Sequence, residues 1–225
     1  MILSIESATK NCSVSLHNQG ELMVSKELQE DKFSHSEHLH VFIKELMTMA
    51  GVSFKELDAV AVSKGPGSYT GLRIGVSAAK GICFSVECPL IGIDTLEVLA
   101  KKGVHDNPES GIIIPVIDAR RDEVYTAVYT PDMDCLRKTN ALILNDSSYS
   151  EYSDSSRLFV GDAVGKMEQF MPISQNDILI HTYPSSKELG LLAWDRYQKK
   201  EFVDVAYFEP YYLKDFKVTP SKKKI

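Results

Sequence analysis

The chain has 225 residues, enough for one large or two small domains, and 44% of them are hydrophobic, which supports a proper core. A formal net charge of −6 argues against a free-standing nucleic-acid binder, whose binding face is usually basic. Cys12, Cys83, Cys88 and Cys135 show neither paired metal-ligand spacing nor a disulfide framework, which points to a reducing cytoplasm. Met1-Ile2-Leu3-Ser4-Ile5 lacks the basic leader of a signal peptide, and no apolar run has the length of a membrane span.

Residues 2–6 read as a buried strand, 12–16 alternate, Asn18-Gln19-Gly20 is a turn, and 22–28 make a third strand of a meander. Ser34-His35-Ser36-Glu37 has the spacing of a capping box. Leu39, Phe42, Ile43, Leu46 and Met49 then recur at helical intervals until Gly51. A strand over 57–62, a helix over about 69–86, a strand over 90–93 and a short helix capped by Asp94 and Glu97 follow. The stretch 103–111, rich in Gly, Asp, Asn and Pro, is the expected boundary, giving lobes 1–103 and 111–213 and a basic tail 214–225. The pattern then restarts. Residues 112–118 form a buried strand ending in an acid, 123–129 alternate, and 158–161, a helix after Ala163 and 177–180 follow. Ser185 and Glu188 cap a last helix in which Leu189, Leu192, Ala193 and Tyr197 share a face. Two meanders, each followed by helix–strand alternation, predict a two-lobed α/β fold built from duplicated βββαβα lobes.

The central stretch is Ser63-Lys64-Gly65-Pro66-Gly67-Ser68-Tyr69-Thr70-Gly71-Leu72-Arg73-Ile74-Gly75. A strand, a Gly-Pro-Gly turn and a helix start at Ser68 or Thr70 aim unpaired N–H groups at one point, which suits an anion. No Gly-Lys-Ser/Thr follows, so it is not a Walker-type phosphate loop. Gly67 is expected to hold a backbone shape closed to other residues. Arg73, in the first helical turn, is expected to tie the helix start to a carboxylate or a partner. Gly71, Gly75, Ala78, Ala79 and Gly81 leave little side chain along the helix, so another backbone packs closely there, from the chain's own sheet or from a second subunit.

An ATP-dependent phosphotransferase or ATPase of this architecture wants Asp-x-Gly at its first acid corner, where glycine lets backbone amides reach phosphate. Glu6-Ser7-Ala8-Thr9 and Asp118-Ala119-Arg120 both lack that glycine, and read as retained architecture. A metallopeptidase wants His-Glu-x-x-His or an equivalent set, and His35, His38 and His40 do not supply it, so neither a metal nor another cofactor is expected. No cysteine stands in an evident electropositive or helix-start setting. Lys222-Lys223-Lys224 reads as a solvated tail.

Residues 5–9, the 65–75 motif, Ile117-Asp118-Ala119-Arg120 with Val124-Tyr125, and the closing Tyr211-Tyr212-Leu213 together resemble the bacterial TsaB (YeaZ) family over nearly the whole chain. The central motif is the long and specific one. The resemblance implies the actin/hexokinase/Hsp70-like (ASKHA, ribonuclease H-like) fold. It also implies a cytoplasmic, non-catalytic subunit acting with TsaD and TsaE in transfer of threonylcarbamoyl to adenosine 37 of tRNA. It further implies a homodimer when alone, with tRNA contact indirect or weak, and pairing with TsaD through the two long helices. The residues expected on that surface are Leu39, Phe42, Ile43, Leu46, Gly71, Gly75 and Ala78. Gly65, Pro66, Gly67, Ser68, Tyr69, Thr70 and Arg73 form the family's loop, and Glu6, Thr9 and Asp118 mark the degenerate nucleotide corners. Glu6 departs from the aspartate usual in the family.

Overall fold

A computed structural model describes residues 1–29 and 35–214. The first unit runs β1 (Ile2–Glu6), β2 (Asn11–Asn18), β3 (Glu21–Gln29), α1 (His35–Ala50), β4 (Ala59–Gly65), α2 (Tyr69–Val86), β5 (Leu90–Asp94) and α3 (Thr95–Asp106). The second runs β6 (Ile112–Asp118), β7 (Glu123–Tyr129), β8 (Cys135–Ile143), β9 (Arg157–Val160), α4 (Val164–Phe170), β10 (Ile178–Ile180) and α5 (Ser186–Gln198). Each unit forms a five-stranded sheet, ordered β3-β2-β1-β4-β5 and β8-β7-β6-β9-β10. In both, the leading strand pairs antiparallel with the second and parallel with the fourth. This is the duplicated ribonuclease H-like topology of the actin/hexokinase/Hsp70 architecture. The copies differ in their helices. Where the first unit has the long α1, the second has only a 3₁₀ turn at Ser150–Tyr152 between β8 and β9.

The helices do not follow the division of the sheets. Leu39, Ile43 and Leu46 of α1 and Val76 and Ala79 of α2 cover one face of the first sheet, against Leu3, Ile5, Val14, Val60 and Val62. Its other face is covered by the last helix of the chain: Leu189, Leu192 and Ala193 of α5 pack on Ile2, Ala59, Ala61, Ile91 and Ile93. Helix α3 serves both sheets: Val98 packs with the first sheet and α5, while Leu96, Leu99 and Ala100 pack against Ile113, Ile117, Leu158 and Val160 of the second. It also runs on to Asp106, into the stretch expected to be a connecting loop.

Strand β2 is buried on both faces, and the two faces differ chemically. Cys12, Val14 and Leu16 enter the α1 side of the core. Ser13, Ser15 and His17 face α5: Ser15 Oγ donates to the Ser186 carbonyl at 2.6 Å, and Ser13 Oγ accepts from the Ser186 N–H at 2.9 Å. Small polar side chains let the backbone of α5 come close while satisfying its first turn. Gly190 completes the fit, since a Cβ there would stand 2.0 Å from the His17 ring.

Helix starts follow the caps. Ser68 caps α2 by accepting from the Gly71 N–H at 3.2 Å, Asp94 caps α3 through the Leu96 N–H, and Ser185 caps α5 through the Lys187 N–H. Ser34 of the expected α1 capping box lies outside the described residues, as does the lysine tail at 222–224.

Candidate functional site

The central loop is built around the end of β1. Glu6 is fully buried; one carboxylate oxygen accepts the Ala8 N–H at 2.7 Å and the other accepts the Ser63 hydroxyl at the end of β4. Burial pushes its pKa up to about 7, against those hydrogen bonds, which lower it. Ser7 donates to the Gly71 carbonyl at 2.9 Å, and the Ser68 N–H donates to the Ala8 carbonyl at 2.7 Å. The corner therefore holds its own loop. The helix-start amide of Ser68, which the sequence offers to an anion, is spent on Ala8. Thr9 is buried beside them.

The glycines of the loop serve two different needs. Gly65 has φ +116°, a conformation side chains rarely adopt, and the Gly65–Pro66 peptide is cis. A Cβ on Gly65 would also stand 2.5 Å from the Tyr211 carbonyl. Gly67 needs space: its Cβ would stand 2.3 Å from the Ala8 carbonyl. The special backbone shape expected of Gly67 belongs to Gly65.

Tyr211 and Tyr212 close the loop from the far end of the chain. The Tyr211 N–H donates to the Lys64 carbonyl at 2.6 Å, and the Tyr212 ring lies 5.0 Å from that of Tyr69. Arg73 meets these rings. Its guanidinium carbon is 4.0 Å from the Tyr69 centroid, and Nε donates to the Tyr212 hydroxyl at 3.1 Å. The Tyr212 hydrogen bond raises the Arg73 pKa above its ordinary value.

The second corner is open and crossed by ion pairs. Asp118 is exposed; its carboxylate accepts from the Arg120 N–H at 2.5 Å and from Lys166 Nζ at 2.8 Å. Asp162 accepts the Asp118 N–H at 2.9 Å, and burial holds its pKa above the ordinary carboxylate value. Glu6 and Asp118 thus have different surroundings, one sealed and one solvated.

A groove of about 620 Å³ runs between α1 and α2, lined by His40 of α1 and by Arg73, Ile74, Ala78, Gly81 and Ile82 of α2. A Cβ on Gly81 would meet nothing within 4 Å. Large apolar side chains stand uncovered on these helices: Phe84 is 84% exposed, Met49 64% and Val41 49%.

A family model described as TsaD, tRNA N6-adenosine threonylcarbamoyltransferase, matches residues 29–220. The tRNA threonylcarbamoyladenosine biosynthesis protein TsaB of Escherichia coli (strain K12) is 28% identical, over 99% of this chain and 99% of that protein. The TsaB of Buchnera aphidicola subsp. Schizaphis graminum is 30% identical over 84% of this chain and 90% of its own. The solved structure of YeaZ from Pseudomonas aeruginosa superposes with a TM-score of 0.83 at 25% identity, covering 94% of this chain and 99% of that one. The chain belongs to the TsaB/YeaZ family.

Several residues expected on a TsaB-type partner surface lie elsewhere. Leu39 and Leu46 are fully buried and Ile43 nearly so, all within the chain's own core. Gly71 and Gly75 face β1: a Cβ on Gly75 would stand 2.2 Å from Ser7 Oγ. The glycines there admit the chain's own sheet. Phe42 is half-buried and stacks on His38 at 5.6 Å, and Ala78 lines the groove. What is left open is the groove, with Ile74, Gly81 and Ile82, and separately the exposed side chains of Val41, Met49 and Phe84. Of these, the apolar stripe expected along α1 includes only Met49. Phe84 was legible as the one aromatic in this small-residue helix beyond Tyr69 at its start. Ser63 as the partner of Glu6, and Tyr212 as the partner of Arg73, had no local signal.

Proposed function

We propose that this protein is a non-catalytic, cytoplasmic subunit in the making of threonylcarbamoyladenosine in tRNA. It binds a TsaD-like transferase, together with a TsaE-like protein, and supports threonylcarbamoyl transfer to N6 of adenosine 37 in tRNAs reading codons that begin with A. Its tRNA contact is indirect or weak, and alone it forms a homodimer. The observation that carries this reading is the open groove between α1 and α2, lined by Ile74, Ala78 and Ile82, with Phe84 of α2 84% exposed. Such an uncovered aliphatic and aromatic surface favours a protein partner. The first acid corner supports it from the other side: the Ser68 N–H is taken by the Ala8 carbonyl, against which Gly67 also packs, so this amide is not offered to a phosphate.

Reconstitution tests the reading. With tRNA, threonylcarbamoyl-adenylate, TsaD and TsaE, sustained modification is expected to require this chain. The purified chain alone is expected to release no phosphate from ATP. Modification that proceeds equally well without it overturns the assignment, and metal-dependent ATP turnover lost on Asp118→Ala overturns the non-catalytic role.

A further inference from the structure

Helix α2 ends in a left-handed residue, Glu87 at φ +56°, and the next N–H, that of Cys88, returns to the Cys83 carbonyl at 3.2 Å. This six-to-one closure brings the side chains of its first and last residues together. Here both are cysteines, with sulfurs 3.9 Å apart. A disulfide requires the sulfurs to close from 3.9 Å to about 2 Å, and the backbone bond holds the two residues beside each other for that approach. Cys88 is the outer member at 8% exposure and Cys83 the inner at 1%. Cys135, the exposed cysteine, lies on β8, away from the pair.

We propose that Cys83 and Cys88 are a reversible oxidation site, joined by a disulfide on exposure to a peroxide. The Cys88 thiolate attacks one peroxide oxygen, the O–O bond breaks, and the hydroxide released takes up a proton, leaving a sulfenic acid on Cys88. The Cys83 sulfur then attacks the Cys88 sulfur. The S–O bond breaks, and its oxygen leaves as water with the Cys83 proton. Two thiols lose two electrons in all, and one peroxide becomes two waters. The chemistry is divided by position: Cys88 is the more exposed sulfur and lies against Cys83, whose own S–H reaches the Pro89 carbonyl at 3.5 Å. The outer sulfur reacts first and the inner one resolves it.

The test treats the full chain with hydrogen peroxide, alkylates remaining thiols after denaturation and maps the peptides. The expected product has Cys83 linked to Cys88, a mass lower by two hydrogens, and full recovery with dithiothreitol. In Cys83→Ser, sulfenic acid is expected to accumulate at Cys88 and to be trapped by dimedone. In Cys88→Ser, Cys83 is expected to stay reduced. The wild-type map is decisive whatever the variants do. Peroxide that oxidises Cys135 while Cys83 and Cys88 are both recovered as alkylated thiols overturns the proposal, and so does Cys88 passing to sulfinic acid without linkage.

Discussion

Two buried ionisable side chains give this protein opposing responses to pH. Glu6 holds its proton up to about pH 7 in the folded chain but releases it near its ordinary 4.5 when unfolded. The folded state therefore binds more protons between those values, and the stability from Glu6, full below 4.5, is lost as pH rises through about 7. His17 is buried against α5 and titrates near 4 when folded, because burial disfavours its charged form, against 6.5 when unfolded. Its stability contribution is full above 6.5 and is lost as pH falls through about 4. The slopes oppose one another between 4.5 and 6.5. Relative to wild type, Glu6→Gln is expected to gain stability as pH rises across that window and His17→Gln to lose it. Each changes by up to about 1.4 kcal/mol per pH unit at the steepest point. Urea denaturation at several pH values reads both, and parallel pH profiles for the three proteins would refute the assignment. Gly67→Val, which forces a side chain onto the Ala8 carbonyl, is expected to cost about 1–3 kcal/mol by the same measurement. Arg73→Ala, on the surface, is expected to leave folding intact and weaken assembly. Unfolding caused by the arginine change and none by the glycine change would reverse those roles.

Helix α2 shows how one element can serve two masters. Its inner face, Gly71, Leu72, Gly75, Val76 and Ala79, is buried against β1 and β4, and its outer face lines the groove with Arg73, Ile74, Gly81 and Ile82. On the proposed function, pairing that outer face and α1 with the same helices of a second copy would give a four-helix contact, for which a TsaD-like partner is expected to compete. Phe84 touches solvent over most of its surface, so Phe84→Asp leaves the core alone. It is expected to weaken self-association and partner binding together, by about tenfold or more, as removal of one large apolar anchor does. Sedimentation of the variant, alone and mixed with TsaD, checks this. Loss of one association with the other kept would mean two separate surfaces.

At the scale of the molecule, the two sheets are tied by exchanged helices. The first sheet keeps one face only because α5 returns to it from the end of the chain, and α3 carries the first unit onto the second sheet. Trp194, the single tryptophan, sits in α5 beside that packing, so its fluorescence reports the junction directly. Urea unfolding followed by Trp194 fluorescence and by far-ultraviolet circular dichroism is expected to give one coincident transition. A fragment of residues 1–110 is expected not to fold stably, because Ile2, Ala59, Ala61, Ile91 and Ile93 lose their cover. Two separated transitions, or a cooperatively folded fragment, would show lobes that stand alone.

Most strands and helices in their order, the caps at Ser68, Asp94 and Ser185, and the repeat of one pattern in two lobes were legible from local sequence, while β8 (Cys135–Ile143) was not assigned. Each depends on neighbours a few residues apart: period, capping oxygen, turn glycine. The family was legible too, because the 65–75 motif is long and its glycines are fixed by contacts. What local sequence did not contain was the far side of each contact. Leu39 and Leu46 are apolar at helical spacing whether a sheet or a partner covers them, and only packing assigned them to the core. Gly75 reads as room for a backbone, and only the fold placed Ser7 there. Arg73 awaited an anion until Tyr212, 139 residues away, came to rest on it. The sequence alone determined most of the elements and their order. Tertiary structure decided which faces meet, because hydrophobic burial is non-directional and does not name its partner.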